Sequence, residues 1–316
     1  MVKLNNPKIV MCGCLETGWE VVRYLLDNDI PITYFVTITH EKAKQQKVSG
    51  YENFEDLSKK YNIPIYYADK YSLQSEKDLQ FFKNNKFDLL IQGGWQRLFP
   101  EDLLKTLKVG AIGIHGSSEF LPKGRGRSPI NWSLIENKKR FIIHYFLIKP
   151  GADDGDIFHF ESFDINMWDT CRTLYYKNSI ITKKVLLKWI PKLLNGEYNI
   201  FPQQGEPSYY PKRNYEDGII NWNRNVFDVY NFIRALTHPY PGAFSYIDGI
   251  LISIWRAQPF DTRITYFGAR IGEIMEVFKT GDFVVNCNDG LLLVTSYKTT
   301  VSIEIGQVLN SDLSNK

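Results

Sequence analysis

Apolar positions in the first half of the chain come as short continuous runs separated by stretches of helical spacing. "KIVMCG" (residues 8–13) is a run of the kind that makes a strand covered on both faces. "TGWEVVRYLLDN" (17–28) follows, with Trp19, Val22, Leu25 and Leu26 on one helical face and Thr17 as the expected N-cap. "IPITYFVTI" reads as a second strand, "NFEDLSKKYN" as a helix and "IPIYYA" as a third strand. "SEKDLQFFKNNK" is helical, "FDLLIQGGW" is a fourth strand ending in glycines, and "PEDLLKTL" is a short helix with Pro100 near its start. "VGAIGIH" is a fifth strand with His115 expected at its C-terminal end.

Strands alternating with helices predict an α/β domain: an open, mainly parallel, Rossmann-like sheet. Ligands of such sheets sit beyond the carboxyl ends of the strands. The first loop, "GCLETG", lacks the GxGxxG pattern, so a dinucleotide site is not expected. From about Gly205 the character changes. "QQGEPSYYPKRNYEDG" is rich in turn formers and reads as a linker, and "NVFDVYNFIRALT" as one helix. Strand-like segments then follow ("YIDGILISIWRAQ", "IGEIMEVFK", "DFVVNCNDGLLLVTSY", "TTVSIEIGQVL"), joined in part by Asp-Gly turns. That pattern predicts a small OB-like barrel. The expected division is a catalytic domain over 1–203 and a barrel domain with a leading helix over 204–316.

Composition narrows the function classes. The 316 residues are 44% hydrophobic and 23% charged, the balance of a globular protein, and no apolar run nears the ~20 residues of a membrane span. The first residues show no leader cleavage site. Four scattered cysteines do not form a disulfide framework, which points to a reducing, cytoplasmic compartment. Net charge is +3, yet residues 204–316 carry ten Lys/Arg against twelve Asp/Glu. No basic stripe for a nucleic-acid backbone is present, so no nucleic-acid partner and no membrane partner is expected.

Chemistry concentrates in two stretches. In "AIGIHGSSEFLPKGRGRSPINW" (111–132), His115 is placed to act as a base or to cap the strand. Gly124 and Gly126 let backbone approach a ligand, and Arg125 and Arg127 suit an anion. In "PGADDGDIF" (150–158), Asp153, Asp154 and Asp156 crowd one turn. An aspartate beside His115 would fix its tautomer and stabilise its cation. Asp154 and Asp156 read as a solvated turn. Cys12-x-Cys14 has no second pair to complete a metal site, so no metal is expected.

These stretches together resemble the folate-dependent formyltransferases, which include methionyl-tRNA, glycinamide ribonucleotide and sugar-nucleotide N-formyltransferases. The family pattern is Asn-x-His, a Leu-Pro and Arg-Gly loop, a Pro before a helix, then Asp-x-Gly-x-Ile. His115, Leu121-Pro122, Arg125-Gly126, Pro129 and Asp153-x-Gly155-x-Ile157 follow that order. The tail from "DGIINWNRNVFDVYNFIRALTHPYPGAFS" is similar to the C-terminal domain of the longer members, most of all the one that formylates UDP-4-amino-4-deoxy-L-arabinose.

The resemblance implies formyl transfer from N10-formyltetrahydrofolate to the amine of a dTDP- or UDP-linked amino sugar, for surface polysaccharide such as lipopolysaccharide. His115 would take the amine proton, directly or through water, and Asp153 would position it. The folate would lie along Gly93, Gly94, Trp95, Arg97 and Leu98 and against Ala152 and Asp154. Arg125, Arg127, Lys212 and Arg213 are the expected diphosphate contacts, and a homodimer is common in the family. The alternatives are a methionyl-tRNA formyltransferase, a formyl-folate hydrolase and a non-catalytic binding relative.

Two departures stand out. Gly113 occupies the position of the family Asn, and two extra residues precede Leu121-Pro122. In relatives that Asn is taken to hydrogen-bond the formyl oxygen, and loss of such a donor costs roughly 10²–10³ in rate. Ser117, Ser118, the inserted segment and a local backbone N–H are the candidate substitutes.

Overall fold

The computed structural model describes residues 6–48 and 50–311. Two compact units divide them. The first comprises the residues through Gly126, Ile142–Phe163 and Tyr175–Tyr209; the second comprises Arg127–Phe141, Asp164–Leu174 and the residues from Tyr210 on. The chain thus passes between units several times, where the sequence suggested one cut at 203/204.

In chain order the elements begin β1 (Ile9–Gly13), α1 (Glu16–Leu26), β2 (Ile32–Thr37), α2 (His40–Gln45), α3 (Glu55–Tyr61), β3 (Ile65–Tyr67) and α4 (Glu76–Asn85). Then come β4 (Leu89–Gly93), α5 (Glu101–Leu104), β5 (Gly110–Ser117), β6 (Arg125–Gly126), α6 (Pro129–Ile135), β7 (Arg140–Leu147), β8 (Asp156–Asp164) and α7 (Cys171–Asn195). The first unit is built on one seven-stranded sheet in the order β3-β2-β1-β4-β5-β7-β8. β3, β2, β1, β4 and β5 are parallel to their neighbours, and β7 runs antiparallel to β5. The Rossmann-like expectation holds. All five residues of β1 are buried, as a central parallel strand requires.

Strand order reverses between β1 and β4, the place where open α/β sheets bind ligands. Three glycines converge there. A Cβ on Gly18 would stand 1.9 Å from the carbonyl oxygen of Gly93, and one on Gly13 would stand 2.3 Å from the same atom. Helix α1 therefore lies with its backbone directly against the end of β4, and any side chain at Gly18 would push it off.

Local differences from the sequence reading have simple causes. Helix α1 starts after Leu15, with no side-chain cap, so Thr17 lies inside it. Its buried face is Gly18, Val21, Val22 and Leu25. Helix α2 was not expected: its single buried residue, Ala43, leaves no periodicity to read, and it rests on a Thr39 cap. β5 continues two residues past His115.

The remaining elements are β9 (Tyr209–Tyr210), α8 (Val226–Ala235), β10 (Ala243–Ile247), β11 (Ile250–Asp261), β12 (Ile274–Val277), β13 (Phe283–Cys287) and β14 (Gly290–Lys298). In the second unit β10-β11-β14-β13-β12 form an antiparallel sheet. Asp248 and Gly249 both take positive φ in the β10–β11 turn, as a two-residue hairpin needs. "TTVSIEIGQVL" does not form a strand of the main sheet, as its strand-like pattern suggested. Its end instead bonds both sheet edges: Asn310 with Tyr246 beside β11, and Gln307 and Leu309 with Ile274 and Gly272. That closes the sheet into the expected small barrel around Ile220, Trp222, Val229, Ile233, Ile252, Ile254 and Leu292. β9, within the expected linker, pairs with β6. No helix among the described residues is long and apolar enough to cross a membrane.

Gly18→Ala gains about 1 kcal/mol of helix propensity but must displace a backbone carbonyl, an overpacking cost of about 1–3 kcal/mol or more. The expected outcome is a lower urea midpoint at unchanged m-value. A raised midpoint would contradict this close approach.

Candidate active site

β4 pairs with β5 only as far as Ile91 and Ile112; beyond that point β5 runs beside β7 alone, with His115 opposite His144. His115 therefore stands past the carboxyl end of the parallel sheet, where its fold class places ligands. It is 8% exposed.

Each ring nitrogen of His115 faces an acceptor. Nε2 lies 2.9 Å from the Gly124 carbonyl oxygen. Nδ1 lies 3.5 Å from Asp153 Oδ2, an ion-pair distance rather than a hydrogen bond. A carbonyl only accepts, so Nε2 carries a proton in this arrangement, and an ionised carboxylate only accepts as well.

Asp153 sits in the turn between β7 and β8 with φ +52°, a conformation that favours glycine but that aspartate tolerates. Its Oδ2 also accepts the Gly126 N–H at 3.0 Å. The turn's other aspartates differ. Asp156 pairs with Lys149 at 2.7 Å, in keeping with the solvated reading. Asp154 folds over Gly151, and its Oδ1 is buried with no partner among the described residues. Ala152 is half-buried beside it.

His144 was not singled out from sequence. It is fully buried, and its Nε2 accepts the Leu121 N–H at 3.3 Å. Burial, then the neighbouring His115, pushes its pKa down to about 4, so it stays neutral.

Gly113 has a packing reason. A Cβ there would stand 2.4 Å from Phe146 and 2.8 Å from Ile148. Phe146 is the cross-strand partner of Gly113 and is 3% exposed. Its ring fills the volume into which a side chain at 113 would project. Ser117 is no ready substitute donor. Its hydroxyl donates to the Lys123 carbonyl at 3.0 Å and accepts the Glu119 N–H at 3.2 Å, holding its own loop. Ser118 is half-buried next to it.

The strand-four loop separates into two kinds of residue. Gly93 is a packing glycine, with Met11 against its Cα face. Trp95 is 2% exposed, packed at 4.8 Å on Tyr71 and 6.4 Å on Phe99, and its Nε1 has no partner among the described residues. Gln92 ties the loop down, accepting the Ile114 N–H at 3.4 Å and donating to the Trp95 carbonyl at 2.9 Å. Gly94 has φ +79°, Arg97 lies 4.6 Å over Tyr71 and donates to Gln46, and Leu98 is 57% exposed.

The four basic residues have different surroundings. Arg125 lies in the first unit and is engaged there: Nε and Nη2 donate to Gln203 Oε1 at 3.1 and 2.6 Å, and Nη1 to the Tyr209 hydroxyl at 3.2 Å. Arg127, Lys212 and Arg213 lie in the second. The Arg127 N–H donates to the Tyr210 carbonyl at 3.1 Å. Arg213 spreads over Trp132 at 5.1 Å and Phe232 at 5.6 Å and donates to the Asp217 carbonyl, which makes it a packing cation. Lys212 is exposed. Gln203 and Ser208, both inside the expected linker region or at its edge, were missed. Nothing in their local pattern distinguishes them. Among the described residues no group of His, Cys, Asp and Glu could hold a metal ion.

Comparison with known proteins agrees with this geometry. The family described as formyl transferase matches residues 8–190, and its C-terminal domain matches 212–310. The bifunctional polymyxin resistance protein ArnA of Wigglesworthia glossinidia brevipalpis is 30% identical over 310 residues, 98% of this chain, which spans 44% of that protein's length. Methionyl-tRNA formyltransferase of Bacillus subtilis (strain 168) is 27% identical over 91% of this chain and 89% of its own. The fold matches an N-formyltransferase from Helicobacter canadensis, solved with folinic acid and dTDP-3-aminofucose, with a TM-score of 0.64 at 18% identity over 94% of this chain and 100% of that one. With both family domains matched in order around a histidine–aspartate pair at the sheet's carboxyl edge, this chain belongs to the formyl transferase family.

Proposed function

We propose that this protein transfers a formyl group from N10-formyltetrahydrofolate to the primary amine of a dTDP- or UDP-linked amino sugar. The observation that carries the reading is His115, backed by Asp153 at the carboxyl edge of the sheet. The amino-sugar acceptor is supported by the Helicobacter canadensis fold neighbour and its dTDP-3-aminofucose, and by the excess of acidic residues after 203. The four buried free cysteines suit cytoplasmic synthesis, ahead of surface polysaccharide assembly.

The residues present fit a folate. Trp95 Nε1 and Asp154 Oδ1 are buried polar atoms without partners among the described residues, and a pterin edge carries both donors and acceptors for such atoms. Gly94, Arg97, Leu98, Ala152 and Asp154 are the side that would hold it.

In the reaction the sugar amine attacks the formyl carbon. Its proton is taken up, the bond from that carbon to the folate nitrogen breaks, and the nitrogen is reprotonated. The products are the formamide and tetrahydrofolate. His115 accepts a proton only with Nδ1–H towards Asp153 and a bare Nε2. Asp153 then stabilises the imidazolium.

A second reading, formylation of methionyl-tRNA, is favoured by the near full-length match to the Bacillus subtilis enzyme. One assay separates the readings. The protein is incubated with N10-formyltetrahydrofolate and a panel of 3-amino and 4-amino dTDP- and UDP-sugars, in parallel with charged initiator tRNA. A formyl mass gain on one sugar supports the proposal; formylated tRNA alone, or formate release without acceptor, overturns it.

His115→Ala and Asp153→Asn are expected to lower turnover by about 10²–10⁴-fold with the fold retained, checked by tetrahydrofolate release and circular dichroism. Two fully active variants would mean the chemistry lies elsewhere. Gly113→Asn is expected to cost about 1–3 kcal/mol by collision with Phe146. Combined with Phe146→Ala it should cost less than the sum of the single changes, measured as a double-mutant cycle in urea. Additive costs would show that Phe146 is not the obstacle.

A further inference from the structure

We infer that Gln203 is a positioning residue that sets the His115–Asp153 pair; this rests on the reaction proposed above. Gln203 is the first residue of the expected linker and the last of the expected catalytic domain, where no motif covers it. The structure gives its carboxamide four contacts. Nε2 donates to the Asp153 carbonyl at 2.7 Å and to the Gly155 carbonyl at 2.9 Å. Oε1 accepts from Arg125 Nε and Nη2. Both N–H bonds and both oxygen acceptor sites are thus used.

The two segments it joins are the two that touch the His115 ring. The Asp153–Gly155 turn presents the carboxylate to Nδ1. The Gly124–Gly126 loop presents the Gly124 oxygen to Nε2 and the Gly126 N–H to that same carboxylate. Asp153 holds φ +52°, a left-handed backbone state that aspartate tolerates in a turn. Gln203 ties that turn down by holding the Asp153 and Gly155 carbonyls.

Gln203 is itself anchored. Phe201 and Ile157 exchange both backbone hydrogen bonds, at 2.8 and 2.9 Å, two residues earlier. Five residues later the Ser208 hydroxyl accepts the Gly124 N–H at 2.9 Å, and the Ser208 carbonyl accepts the Arg125 N–H at 2.9 Å. The stretch from 201 to 208 is therefore a brace across the back of the catalytic loops. Arg125, engaged by this brace, serves as its crosspiece and not as a diphosphate ligand.

The test uses the full chain with three changes. Gln203→Glu keeps the shape and the acceptor for Arg125 but removes both N–H donors. Gln203→Met removes donors and acceptor. Tyr209→Phe removes only the exposed hydroxyl that Arg125 Nη1 reaches. The readouts are kcat and KM for folate and sugar, and the ¹⁵N signals of the His115 ring, assigned by their loss in His115→Ala. For Gln203→Glu a roughly 10–100-fold fall in kcat is expected, the scale of a displaced catalytic group, with both KM values within about twofold. The His115 ring signals should move in Gln203→Glu and stay in place in Tyr209→Phe and Gly18→Ala. Unmoved ring signals in both folded Gln203 variants, or wild-type kcat in either, would overturn the inference. Should Gln203→Met not fold, Gln203→Glu decides alone. Should the wild type formylate no sugar, the reading of function fails, while the ring signals still decide whether Gln203 positions His115.

Discussion

The candidate site depends on one imidazole held between two acceptors. Asp153 Oδ2 on one side and Gly124 O on the other determine where the His115 ring points. Most other features near the site keep those two atoms in place. The Gly126 N–H restrains the carboxylate, Ser208 restrains the loop that carries Gly124, and Gln203 joins both segments. β5 brings the ring to the edge because its pairing with parallel β4 ends at Ile91, leaving β7 as its pairing partner for the last stretch. A mainly parallel sheet with one antiparallel strand beyond it is therefore a condition for the site.

The glycine at position 113 changes meaning once its surroundings are known. Read as a motif residue, it is a missing carboxamide. In the structure it is half of a size exchange in which Phe146 and Ile148 fill the space on that face of β5. A donor for the developing oxyanion cannot be a side chain at 113 without repacking β7. His144, fully buried two pairs further along and held neutral, extends the same low-dielectric wall towards the Leu121 backbone. The site is thus more apolar on this side than its motif implies, which strengthens any charge interaction made beside it.

Glycines and arginines at the expected ligand positions turn out to have unequal surroundings. Gly93, with Gly13 and Gly18, lets α1 sit against the end of β4. Arg213 lies across Trp132 and Phe232, where dispersion and the ring quadrupoles hold it. Leu98, Gly94 and Arg97 remain at the loop's surface. Lys212 is exposed in the second unit. The residue types suited a phosphate or a pterin equally well, and their neighbours decided the use.

Order of elements, fold class and the histidine–aspartate pair were legible in the sequence, because they rest on local periodicity and on a long ordered motif. Continuous apolar runs such as Ile9–Gly13 mark buried parallel strands whatever lies around them. Helix α2, the end of β5 and the closing contacts of Asn310 were not legible, since each is stabilised by one cap or by strands distant in the chain. Neither were Phe146 and Gln203. A phenylalanine in an apolar strand and a glutamine at the start of a turn-rich stretch have no local signature. Their roles arise from the atoms that folding places within a few ångströms of them: Gly113 for the one, the Asp153 and Gly155 carbonyls for the other. Sequence alone determined which chemical groups were available and in what order. The tertiary structure decided which were already engaged with one another, because hydrogen bonds and steric contact depend on through-space distance, which separation along the chain does not set.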